Sequence, residues 1–209
     1  MDMEGSRALA VTQQQAWDAL NDPQVLKACI PGCDKVEATG DNQYAVGVAV
    51  KIGPVSAKFN GKITLSEVQP PDSYTITFDG QGGAAGFGKG VSQVRLSPQA
   101  DGPGCVLNYK VQAQVGGKIA QLGQRLIDGV SRAMAEDFFK RFDAEMQRRH
   151  PEAYAAREAA AEAVAEATGG VPGLPPAAVA NAQGATVPSW VWIAVAVVIA
   201  VMVVLWMYR

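Results

Sequence analysis

IAQLGQRLIDGVSRAMAEDFFKRFDAEMQRRH, residues 119–150, decides the fold. Apolar residues recur in it at Ile119, Leu122, Leu126, Val130, Met134, Phe138, Phe142 and Met146, with Ile127 and Phe139 widening the stripe. Steps of three and four residues place them on one face of an α-helix. The opposite face carries acid-to-base pairs at four-residue spacing, Glu136/Lys140, Asp137/Arg141 and Glu145/Arg149, which favour a helix in water. The stripe predicts an amphipathic helix of about 30 residues, more than twice the ordinary length. Gly116-Gly117 opens the segment. His150-Pro151 closes it, because the residue before a proline avoids the helical region. Gly123 and Gly129 inside it each cost about 1 kcal/mol relative to alanine, and either close contact with the sheet or room for a ligand is the expected reason, close contact being favoured.

The preceding residues supply that surface. Tyr44, Val46, Val48, Val50 and Ile52 alternate with small or polar residues, and Gly53-Pro54 breaks the run. Ala57, Phe59, Gly61, Ile63 and Leu65 then alternate, followed by a turn at Pro70-Pro71-Asp72-Ser73 and by Tyr74, Ile76 and Phe78. Val91–Leu96 alternates more weakly, Asp101-Gly102-Pro103-Gly104 turns the chain, and Leu107, Tyr109, Val111, Ala113 and Val115 complete the pattern. Period two over so many segments predicts antiparallel strands with one dry face and one wet face. Before them come a strand and two short helices. Thr12-x-x-Gln15 is a capping box. Asp22 and Pro23 have the residue types of an N-cap and a first helical position. Ile30-Pro31-Gly32-Cys33 reads as a turn.

These elements describe an α+β helix-grip fold over residues 1–150, a curved antiparallel sheet wrapped on the long C-terminal helix. Such a grip encloses an apolar cavity. Its expected lining is Phe59, Ile63, Phe78, Phe87, Tyr109, Leu122, Leu126, Val130 and Met134.

Beyond the grip the composition changes twice. Residues 151–189 form a linker, Ala/Glu-rich from Glu152 to Ala167 with strong helix propensity, then rich in glycine and proline from Thr168 to Ser189. As a flexible coil the second half spans on the order of 25 Å. Residues 190–208 carry no charge and no proline. As a helix they would measure about 28 Å, close to the roughly 30 Å hydrocarbon core of a bilayer. Trp190 and Trp192 at one end and Trp206 and Tyr208 at the other match the aromatic belts of the two headgroup layers. A single-pass C-terminal transmembrane helix is expected. The N-terminus has no secretory signal pattern. The expected location is therefore the inner (cytoplasmic) membrane, with the soluble domain facing the cytoplasm.

Few classes of chemistry survive inspection. A net charge of -2 gives no basic field for nucleic acid. Gly83-Ala84-Ala85-Gly86-Phe87-Gly88-Lys89-Gly90 nearly matches a phosphate-cradling loop, but Gly90 stands where Ser or Thr should hold magnesium. A strand-like run follows it instead of a helix. The segment reads as a glycine-rich hairpin, or as a gate at the cavity mouth with Phe87 as its tip. Cys29, Cys33 and Cys105 with the single His150 do not assemble a four-ligand zinc site, and His150 at a helix end is poorly placed as a catalytic base. No metal and no catalytic residue is expected.

Met3-Glu4-Gly5, Ala16–Pro23, Leu26-x-x-Cys29-Ile30-Pro31-Gly32-Cys33, Phe59–Ile63 and Gly86–Gly90 together resemble the carbon monoxide dehydrogenase G-subunit family, within the START/Bet v 1-like (SRPBCC) superfamily. The resemblance covers about residues 1–147. It implies association with a molybdenum/flavin/iron-sulfur hydroxylase such as CO dehydrogenase, and a role in bringing that enzyme to the membrane. It supplies no catalytic residues. The expected function is thus a non-enzymatic membrane adaptor, with no covalent cofactor and with an apolar small molecule such as menaquinone or ubiquinone in the cavity. The alternatives are a general lipid or hydrophobe carrier and a cavity enzyme of the same fold.

Overall fold

The computed structural model describes residues 1–100 and 102–169, the last six by backbone only. In chain order its elements are β1 (Asp2–Leu9), α1 (Gln13–Leu20), α2 (Pro23–Cys29), β2 (Cys33–Gly40), β3 (Gln43–Ile52), β4 (Val55–Gln69), β5 (Ser73–Gln81), β6 (Phe87–Pro98), β7 (Cys105–Gly116), α3 (Gln124–Arg149) and α4 (Pro151–Gly169). The strands form one antiparallel sheet in the order β1-β7-β6-β5-β4-β3-β2. Hairpins join β2 through β7 in sequence, while β1 closes against β7 from Asp2↔Gln112 to Leu9↔Cys105. The register lines up Tyr74, Val94, Tyr109 and Gly5 across β5, β6, β7 and β1.

The two short helices start where their capping residues predict. Thr12 Oγ1 accepts from the Gln15 backbone N–H at 3.3 Å, and Gln15 Oε1 accepts from the Thr12 N–H at 2.9 Å. Asp22 accepts from the Gln24 N–H at 2.8 Å, with Pro23 at the first helical position. Both helices turn apolar residues inward. Trp17, Leu20, Val25 and Cys29 join Leu9, Tyr74, Val94, Leu96, Leu107, Phe142 and Met146 in one core. The sheet-covering helix α3 contributes to it mainly through its C-terminal half, Phe142 and Met146 being fully buried.

Three details depart from the sequence pattern. First, α3 begins at Gln124, after a short 3-10 turn at Ala120–Leu122. Gly123 between them has φ +90°, a conformation that ends the preceding turn and that β-carbon-bearing residues rarely adopt. A Cβ on Gly123 or Gly129 would meet nothing within 4 Å, so neither glycine serves close contact with the sheet. Second, β2 is a strand that the alternation does not reveal. It lies at the sheet edge and buries only Val36. Third, the first turn of α4 packs on the domain. Ala153 and Tyr154 rest against the core, and the Tyr154 hydroxyl donates to Asp143 at 2.6 Å (Oδ1) and 3.0 Å (backbone O). The compact unit to which these contacts belong runs Met1–Val164.

Ion pairs fasten the end of α3. Glu145 accepts from Arg148 at 2.7 Å and from Arg149 at 2.7 Å, and Arg149 also reaches Asp22, the cap of α2, at 3.1 Å. Hydrogen bonds from Arg148 and then Arg149 hold the Glu145 carboxyl down at about 2, from 4.5. A depressed carboxylate stabilises the fold above its unfolded pKa, and that stabilisation is lost as pH falls through the folded value. Glu145→Gln is therefore expected to cost about 1 kcal/mol at neutral pH, discounted for solvent screening. In urea titrations the gap between wild type and variant should close between pH 4.5 and about 2. A gap independent of pH would show that the carboxylate charge is not what acts.

Among the described residues no helix is long and apolar enough to cross a membrane. The span expected at residues 190–208, with Trp190, Trp192, Trp206 and Tyr208, and the glycine/proline half of the linker lie outside the described residues, apart from Thr168 and Gly169 at the end of α4.

Candidate functional site

Between the two short helices, α3 and the inner face of the sheet lies a cavity of about 220 Å³. Each wall has a local cause. Leu26 in α2 and its C-cap Ile30 are four residues apart, which puts both on one side of that helix. Asn21 sits at the C-cap of α1 and donates from Nδ2 to the Trp17 carbonyl at 2.8 Å. The sheet supplies inward residues of successive strands, among them Val36, Tyr44, Ile63, Leu65, Ile76 and Val94. Helix α3 closes the space with Phe138 and Phe139.

These phenylalanines belong to an aromatic stack. Phe139 stacks on Tyr109 at 5.5 Å, and Phe138 stacks on Phe142 at 5.8 Å. The Arg7 guanidinium lies over the Phe139 ring at 5.4 Å and pairs with Glu136 of α3. Tyr109 lies flat across Gly5, where any side chain would collide with its ring. Tyr109 and Phe139 thus separate the cavity from an open crevice between β1 and α3, whose walls include Arg7, Arg132 and Glu136.

The lining contains no Asp, Glu, Lys, Arg, His or Cys. Its polar groups are the Asn21 amide and the phenols of Tyr44, Tyr74 and Tyr109. Burial raises the Tyr74 pKa, and Tyr44 nearby raises it further, so this phenol stays neutral at any ordinary pH. The thiols offer no nucleophile either. Burial pushes Cys29 and Cys105 up to about 11 and raises Cys33 as well. Among the described residues no three His, Cys, Asp or Glu side chains gather as a metal site. Such a cavity can hold an uncharged apolar group such as a ring. At about 220 Å³ it lies below the roughly 300–1,000 Å³ of sites for drug-sized ligands.

Of the nine residues expected at a cavity, Ile63 and Tyr109 line this one. Phe59, Phe78, Phe87, Leu122, Leu126, Val130 and Met134 do not. Phe59 packs over Gly82 and Phe78 over Gly90. Phe87 is the first residue of β6 and packs over Gly116, so it is no tip of a free loop. Leu122 belongs to the 3-10 turn, Leu126 is 40% exposed beside Gly53, and Val130 and Met134 are half-buried on α3. The glycine-rich segment is a hairpin with its 3-10 turn at Gly83–Ala85, and the strand after it leaves no helix N-terminus for a phosphate. Leu20, Asn21, Leu26, Ile30 and Val36 line the cavity without being expected there. The four-residue step from Leu26 to Ile30, left over once Val25 and Cys29 are assigned to the core, is the signal that could have found them.

Comparison with known proteins completes the description. The model of the CoxG family, the G subunits of carbon monoxide dehydrogenase, matches residues 5–147. The crystal structure of a conserved protein from Geobacillus kaustophilus is similar at 33% identity and a TM-score of 0.67, over 71% of this chain and 96% of that one. The ZhuI aromatase/cyclase from a Streptomyces species is similar at 15% identity and a TM-score of 0.51, over 71% of this chain and 94% of that one. A Thermus thermophilus protein reaches 0.54 at 11% identity, over 71% and 99%. The last two likenesses show the fold alone. No curated protein matches the chain.

Proposed function

The chain belongs to the CoxG family of carbon monoxide dehydrogenase, and from that premise we propose that it is a non-enzymatic, membrane-anchored adaptor for a molybdenum hydroxylase of the CO dehydrogenase type. In this reading the grip domain works from the cytoplasmic face, residues 190–208 hold it at the inner membrane, and the cavity takes the ring of a lipid-soluble quinone. The observation that carries the reading is the chemistry of the cavity. It is apolar, too small for a whole lipid, and has no charged side chain in its lining. Catalysis in the same space would have no carboxylate, histidine, lysine or cysteine of the lining to draw on as acid, base or nucleophile.

Organic extraction of the purified full chain, followed by mass spectrometry, tests the ligand. The expected result is a neutral apolar molecule with a quinone ring, bound at a defined ratio to protein. Protein that carries no such molecule and takes up none on addition sinks the quinone part. Affinity purification from membranes tests the partner. An adaptor brings down a flavin- and molybdenum-containing hydroxylase, whereas a general hydrophobe carrier brings down lipid without it.

A further inference from the structure

The hairpin topology puts three connections at one end of the sheet, the β3–β4 turn, the β5–β6 turn and the link from β7 to α3. Contacts hold them together. The Ile119 N–H donates to the Ala85 carbonyl at 3.0 Å, Gly117 lies backbone to backbone with Gly86, and Leu126 lies over Gly53. Residues 51–58, 82–89 and 116–126 contain Lys51, Lys58, Lys89, Lys118 and Arg125 and no aspartate or glutamate. The β2–β3 and β4–β5 turns at the opposite end carry Asp41 and Asp72 and no lysine or arginine. Two of the five cations have acids beside them. Lys58 pairs with Asp34, and Lys89 stands opposite Asp79 in the register. Lys51, Lys118 and Arg125 are exposed and make no ion pair among the described residues. Asp128, one turn along α3 from Arg125, accepts from Gln124 at 2.6 Å instead. Exposed apolar groups stand among these cations. Pro54 and Ala84 are hairpin tips, and Leu126 is one of two exposed large hydrophobic side chains among the described residues.

We propose that this end of the domain docks on the headgroup layer of an anionic bilayer, with the apolar tips entering it and Lys51, Lys118 and Arg125 against the lipid phosphates. The proposal rests on the reading that the domain works at a membrane, and it adds which face meets the lipid. An anionic surface favours each lysine or arginine near it by roughly fivefold and repels carboxylates, so a face whose connections hold cations and no acids fits it. The apolar groups are small and sit on separate connections. A fluid headgroup layer accepts such tips, whereas a protein interface is built around a packed, continuous core. Three unpaired cations orient a domain that is already tethered and are too few to retain an untethered one. The docked domain holds α1 away from the lipid, because Gln13 of α1 bonds Asp72 at the opposite end, at 2.7 Å.

The test is quenching of a fluorophore by nitroxide-labelled lipid, with the full chain in nanodiscs. Cys33→Ser leaves Cys29 and Cys105, both buried, and a single accessible thiol is then introduced as Ala84→Cys or, at the other end, as Asp41→Cys. The label at position 84 is expected to be quenched in nanodiscs containing phosphatidylglycerol. That quenching should disappear in phosphatidylcholine alone and at about 0.5 M salt, where the Debye length falls below about 5 Å. The label at position 41 should stay unquenched throughout. Lys51→Gln/Lys118→Gln/Arg125→Gln should lower the docked-to-free ratio about a hundredfold, three steps of roughly fivefold. Equal quenching at both positions, or quenching at position 84 that survives in the triple variant, would overturn the proposal. So would an unquenched label at position 84 in anionic nanodiscs that hold the chain. Loss of hydroxylase capture in the triple variant, without quenching in the parent chain, would assign the face to the partner enzyme instead. A full chain that does not enter nanodiscs at all would sink the anchor reading as well.

Discussion

Phe142→Ala is expected to lower the unfolding free energy by about 3–5 kcal/mol, a large part of the roughly 5–15 kcal/mol that holds an ordinary domain together. Phe142 is fully buried and is one of three buried residues of α3, with Ile127 and Met146. Its ring stacks on Phe138 in the same core that holds Trp17, Val25 and Cys29. Truncation to alanine removes the transfer energy of the ring and leaves a void that the sheet and two helices must tolerate. Leu126→Ala, on the same apolar stripe but 40% exposed, should cost less than about 1 kcal/mol. Urea unfolding of both variants reads the contrast. Equal losses would mean that α3 is not fastened chiefly by its C-terminal half.

Ending the chain after Gly169 is expected to move the protein wholly from the membrane pellet to the supernatant and to release the partner hydroxylase with it. The core lies within Met1–Val164, so the shortened chain keeps the residues that fold it. What it loses is the uncharged segment 190–208, whose length as a helix matches the hydrocarbon layer. A point variant separates insertion from mere stickiness. Val198→Arg, near the middle of the segment, adds about 2.5–3.5 kcal/mol to the cost of insertion and should weaken membrane association without shortening the tail. Sedimentation of the truncated chain with membranes would refute the anchor.

The parts of the fold legible in the sequence are those where one face is dry and one is wet. β3, β4, β5 and β7 alternate cleanly because each is covered on one side, and the caps at Thr12 and Asp22 act through local chemistry. β2 is illegible because an edge strand with a single buried residue carries almost no period. The apolar stripe overstates the length of α3 because it runs unbroken through Leu122, whereas Gly123 breaks the backbone there. The stripe also points nearer the start of α3 than the apolar pocket of the structure lies, for a related reason. Periodicity tells which face of a helix is apolar, but not which part of that face a neighbour fills. Leu20, Leu26 and Ile30 on the short helices decide that question, and their destination depends on how three helices meet.

The pairing of β1 sets the order in which the domain can be completed. Among the described residues Asp2–Leu9 has one strand partner, Cys105–Gln112, a hundred residues later. β2 through β7 can zip by successive hairpins, each with a short loop to close, while β1 must wait for a long-range contact. Nor can the core finish before Phe142 and Met146 arrive to sit against Leu9, Trp17 and Val25. During synthesis Asp2–Leu9 therefore stays without its strand partner until Cys105–Gln112 has been made.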